Sequence, residues 1–164
     1  LISTSLDKIM NNRSSYIDDI LDYIDTDLIC YRAENPKELV ELQKNKWDPI
    51  ILLLEKYIGT KVEVFQGVLP KKQHATVHLK LNNIINQFDI FEISALYRIT
   101  NITGSIFLSL WVLKKDISKN EVFELSFLDE LWQAVNWGFD EETLKKRKEI
   151  SIELNKCISF LDCL

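Results

Sequence analysis

Residues 91–113 read FEISALYRITNITGSIFLSLWVL. The stretch is apolar on nearly every side, and such a segment reads as helix packed in the middle of a domain. Gly104 and Ser105 allow a close approach or a break within it. Its most apolar part, near Ile106–Leu113, is far too short to span a bilayer, even allowing for Ser109, so no membrane insertion is expected.

The helical reading extends outward in both directions. Before the stretch, Val77, Leu81, Ile84, Ile85 and Phe88 recur at the spacing of an amphipathic helix. After it, Ser118-Lys119-Asn120-Glu121 is a capping box, predicting one helix that runs to Trp137 and ends at Gly138. Asp140 then caps a last helix with the stripe Ile150, Leu154, Cys157, Leu161 and Leu164. Towards the N-terminus, Ser14 and Ser15 precede a short helix carrying Ile17, Ile20, Leu21 and Ile24. Pro36 opens another through Leu39, Val40 and Leu42. At Trp47-Asp48-Pro49 the proline predicts a junction, with a new helix starting at Pro49 and stopping near Gly59.

Leu28–Tyr31 is β-prone, Val62–Val64 alternates like a short strand, and Gly67–Lys72 reads as loop. Four glycines and three prolines in 164 residues leave little room for tight turns. The expected fold is mainly α: a multi-helix domain over residues 14–164 with one or two short extended segments, preceded at 1–13 by a linker or the remnant of a domain junction.

Composition narrows the function. An apolar fraction of 46% with 27% charged residues is globular rather than disordered. The net charge is −5, and the one basic run, Lys145-Lys146-Arg147-Lys148, follows Asp140-Glu141-Glu142. Acids at a helix start with bases one turn on suit the helix dipole and i,i+4 pairing, so a solvated helix face is expected and no nucleic-acid partner. Cys30, Cys157 and Cys163 form no CxxC and read as small buried hydrophobes in a reducing compartment. His74 and His78 would share a helix face, but Ala75 stands where a metalloprotease motif needs glutamate. No nucleophile elbow, phosphate-binding glycine loop or zinc pattern occurs, so no metal, no cofactor and no catalysis are expected.

One acid stands out. On a continuous helix from Ser118, Phe123, Phe127, Glu130, Ala134 and Trp137 fall along one face. A carboxylate amid rings must be paired, neutralised, or reach solvent or a partner. Three readings follow. Glu130 pairs internally with a base such as Arg32 or Arg98, or this face is simply exposed. It lies at the rim of an apolar binding groove. Or it acts as general acid or base in the pocket of a small helical enzyme or ligand-binding domain.

Three stretches point to a family. Leu28-Ile29-Cys30-Tyr31-Arg32-Ala33-Glu34, Pro36, Leu39-Val40, Gln43 and Trp47-Asp48-Pro49 form the first. Gly104-Ser105 with its apolar sequel is the second. Leu128-Asp129-Glu130, Gln133, Trp137-Gly138, Asp140 and Glu142 form the third. Together they resemble the assembly chaperones that escort the alpha subunit of the F1 sector of ATP synthase. The resemblance implies a helical C-terminal domain, with the family's small N-terminal β-rich domain absent from this sequence. It implies a chaperone, monomeric, of the bacterial cytoplasm (as in alphaproteobacteria) or the mitochondrial matrix. Such a chaperone binds the alpha subunit and shields its beta-facing surface until the catalytic head assembles. The family's motif acid falls on Glu130. Asp129 and Gln133 are then expected at the rim of the client site, with Trp137 and Phe127 as aromatic contacts. Arg32, Trp47, Asp48, Pro49 and Gly138 are expected to be structural, Arg32 pairing with an acid and Trp47 packing a helix junction.

Overall fold

The computed structural model describes residues 2–114, 117–138 and 140–163, with side chains from Leu6 onward. In chain order its helices are α1 (Ile2–Asn11), α2 (Arg13–Leu21), α3 (Lys37–Ile58), α4 (Ala75–Asn86) and α5 (Ile90–Thr103). Then come α6 (Ile106–Leu113), α7 (Lys119–Ser126), α8 (Leu128–Trp137) and α9 (Glu141–Asp162). Two short strands, β1 (Tyr31–Arg32) and β2 (Phe65–Gln66), pair in parallel, with Tyr31 opposite Phe65.

The expected central segment is two helices with a break at Gly104-Ser105. α5 packs against α1, α2, α6 and α9, while every residue from Ile106 to Leu110 is buried. Burial on all sides explains why this stretch shows no amphipathic period. Asp89 and Glu92 form a reciprocal capping box at the start of α5. Gly104, at φ +73°, ends that helix and turns the chain so that Ser105 caps α6, accepting from the Leu108 amide at 3.1 Å.

Asp27 fills this corner. Its carboxylate accepts from Ser105 Oγ (2.7 Å) and from the Ile29 and Phe107 amides (3.1 Å each). Complete burial raises its pKa to about 7, against the opposing pull of those donors.

Four expectations change. The predicted junction at Trp47–Pro49 does not exist, because α3 runs unbroken through Pro49. Its buried stripe, Leu39, Gln43, Trp47, Ile50, Ile51, Leu54 and Ile58, passes straight through that point. Pro49 and Asn45 are exposed, so the carbonyl that loses its helical partner faces water. Conversely, the single helix predicted from Ser118 to Trp137 is broken at Phe127, whose φ of −111° and ψ of 26° separate α7 from α8. The Leu125 carbonyl, near the end of α7, accepts instead from the Trp47 indole at 3.0 Å. The strand expected at Val62–Val64 forms one step later, at Phe65–Gln66, and Leu28–Cys30 is a 3-10 turn leading into β1. Residues 2–11 form α1, which lays Ile9 in the core.

Candidate functional site

The motif residues gather where β1, α3 and α8 meet. α3 is one long amphipathic rod, so Gln43, Trp47 and Asp48 are carried into register by a single element. Trp47 is fully buried and Arg32 lies over its ring, with the guanidinium carbon 5.5 Å from the centroid. Arg32 Nη1 pairs with Asp48 Oδ1 at 2.7 Å, and Nε donates to the Ile29 carbonyl at 2.9 Å. Arg32, Trp47 and Asp48 therefore brace β1 against α3.

Gln43 extends this brace to α8. It is 1% exposed, and its amide is used at both ends. Oε1 accepts from the Ala33 amide and Nε2 donates to Asp129 Oδ1, each at 2.8 Å. In the sequence Gln43 belongs to the first family motif, with no site role assigned to it. The signal was its place as a lone amide among the apolar positions of the α3 stripe.

The break at Phe127 redistributes the expected aromatic face. Phe123 and Phe127 pack on each other, ring centroids 5.0 Å apart, and both are half-buried. Ala134 is buried. Glu130, Gln133 and Trp137 are exposed and share one arc of α8, with the indole 83% exposed. Asp129 is half-buried beside them, and Gly138 ends the helix at φ +78°. Arg32 is engaged by Asp48 and Arg98 by Glu153, so the internal pairings considered for Glu130 do not form. Among the described residues no ion pair or hydrogen bond reaches the Glu130 carboxylate; its main-chain carbonyl accepts from Arg147 Nη2 at 2.8 Å, which ties α9 to α8.

The histidines are apart from this region and from each other's partners. His74 meets Glu63 and His78 meets Asp25, each at 2.8 Å. Among the described residues no group of three or more His, Cys, Asp or Glu side chains converges as metal ligands would, and no helix is long and apolar enough to cross a membrane.

Atp12 from Paracoccus denitrificans superposes with a TM-score of 0.92 at 30% identity, over 97% of this chain and 68% of that one. This chain belongs to the ATP12 chaperone family. The family model, described as ATP12 chaperone protein, matches residues 1–55, which include β1, Gln43, Trp47 and Asp48. An Agrobacterium tumefaciens protein superposes at a TM-score of 0.91 with 29% identity, covering 97% of this chain and 60% of that one. The mitochondrial protein atp12 of Schizosaccharomyces pombe is 25% identical over 152 residues, which is 85% of this chain. The chain spans about half the length of that relative, 52%. The mainly helical architecture is thus that of solved ATP12 family structures.

Proposed function

We propose that this protein is a non-catalytic assembly chaperone that binds the alpha subunit of an F-type ATP synthase and shields its beta-facing surface until the catalytic head forms. The reading rests on one observation above all: α8 presents a carboxylate and an almost fully exposed indole, Glu130 and Trp137, on a helix anchored to the core through Gln43 and Asp129. Large exposed aromatics are characteristic of interface centres rather than of ordinary surface, and charged groups of the rim around them. In this reading Glu130 is the main client contact, Gln133 and Asp129 form the polar rim, Trp137 is the aromatic wall, and Phe127 supports them from beneath. An obligate-interface surface left unpaired is apolar and prone to aggregate. A transient cover needs moderate affinity, and no nucleotide chemistry, so that the true partner displaces it.

The same reading makes the helical domain, 14–164 with α1 docked on it, the recognition unit, working as a monomer. It would act in the bacterial cytoplasm or the mitochondrial matrix. Glu130 as an enzymatic acid or base finds no support, since its side chain is exposed on an open helix face.

Co-expression with the alpha and beta subunits, followed by pull-down on this chain, tests the proposal. Retention of alpha, released when beta is supplied in excess, is expected. Retention of neither subunit would end it.

A further inference from the structure

Next to α8 lies an open groove of about 610 Å³, within the size range of ligand sites. Its lining brings together β1 (Tyr31, Arg32), the loop after β2 (Val68, Leu69) and two carboxylates, Glu34 and Asp129. The loop is tied down at both ends. The Gly67 amide donates to the Arg32 carbonyl at 3.0 Å, and the Lys71 amide donates to the Tyr31 hydroxyl at 3.1 Å. Between these ties Val68 and Leu69 are 94% and 74% exposed. A loop held this firmly has lost its freedom to fold those side chains away, and the core makes no use of them.

The polar groups of the groove are also incompletely matched. Among the described residues neither Glu34 nor Asp129 pairs with a cation, and Lys71 places its ammonium over the Phe65 ring, 5.7 Å from the centroid. An apolar lip beside two acids without a cationic partner is what an extended polypeptide segment would complete. A basic side chain would answer the acids, and flanking apolar side chains would cover Val68 and Leu69.

Resting on the chaperone reading above, we infer that this groove holds an extended segment of the client, a lysine or arginine flanked by apolar residues. Asp129 joins the two surfaces: it lines the groove and precedes Glu130 on the first turn of α8. The client is therefore gripped at two adjoining places, by the α8 face and by the groove.

The test uses the whole chain and overlapping fluorescent peptides from the alpha subunit, read by anisotropy. Peptides with a basic residue between apolar ones should bind, and Leu69→Asp or Glu34→Lys should each weaken them about tenfold. Both positions are exposed, so the fold should tolerate the changes, which a thermal melt verifies. Replacing the basic residue of the peptide by glutamate should restore binding to the Glu34→Lys protein. Equal binding to all variants, or no peptide binding, overturns the groove. So does a wild-type dimer that Leu69→Asp dissolves, since the occupant is then a second copy. Retention of whole alpha subunit by both groove variants but not by Glu130→Lys would sink the groove and spare the chaperone reading. Charge-dependent peptide binding without retention of alpha would do the opposite.

Discussion

Gln43 Nε2 and Asp129 Oδ1 lie 2.8 Å apart, although 86 positions separate them in the chain. Through this contact the second turn of α3 sets the position of the first turn of α8. The other end of the same amide holds the strand β1 at Ala33. One buried side chain thus fixes the spacing between the motif strand and the proposed client face.

Gln43→Leu should keep the volume and lose both hydrogen bonds, leaving the Ala33 amide without its acceptor. A loss of about 1–3 kcal/mol is expected in urea unfolding. Protection of the alpha subunit should fall further than the loss of folded protein explains, because α8 is no longer held in register. Full protection by the folded fraction would show that Gln43 serves stability alone.

Glu130→Lys changes an exposed group without an internal partner, so the melting temperature should stay within about 2 °C of wild type. Suppression of alpha-subunit aggregation, followed by light scattering, should be abolished. Trp137→Ala should weaken it by about 2 kcal/mol in client affinity, the scale of an interface anchor. A Glu130→Lys protein that protects as well as wild type would remove Glu130 from the interface.

Asp27 should make stability depend on pH. Its pKa is raised by burial from 3.8 to about 7, so its folded form holds a proton that the unfolded chain has released. For a raised pKa the stabilisation is complete below the unfolded value and is lost as pH rises through the folded one. From this group, stability should therefore fall between about pH 4 and 8, by an amount on the order of 4 kcal/mol. Urea midpoints measured across that range should show the slope in wild type and lack it in Asp27→Asn. That variant should also be less stable at the acid end, because its amide presents hydrogens to a corner already supplied with three donors.

Pro49→Ala should stabilise the protein. The proline sits inside the unbroken α3 but cannot donate to the Asn45 carbonyl, and alanine restores that donor. A gain of about 2 kcal/mol is expected, the helix-interior penalty less the entropy that proline removes from the unfolded chain. A lower urea midpoint would mean that the rigidity proline gives the unfolded chain outweighs the hydrogen bond it removes.

Much of this was legible beforehand in particular residues. Capping groups at Asp140 and Ser118 and the break at Gly104-Ser105 marked helix ends that the structure keeps. These signals are local: a side-chain oxygen two or three residues from the amide it accepts, or a glycine at positive φ. Pro49 and Phe127 misled for the opposite reason. Proline's local preference against a helix interior was outweighed by a buried stripe that runs past it. No breaking residue announces the turn at Phe127, which forms where α7 and α8 each find a different surface to pack against. The shift of the strand from Val62–Val64 to Phe65–Gln66 has the same origin, since its register is set by a partner more than thirty residues away.

The chain alone therefore determined the helical class, the central segment and the family motifs, because periodicity, capping and turn chemistry act over a few residues. Only the tertiary structure decided which motif residues brace the core and which face outward. It put Arg32, Asp48 and Gln43 into internal pairs and left Glu130 and Trp137 in solvent. Partner choice among polar groups depends on distances between elements remote in sequence, and those distances exist only after the helices have packed.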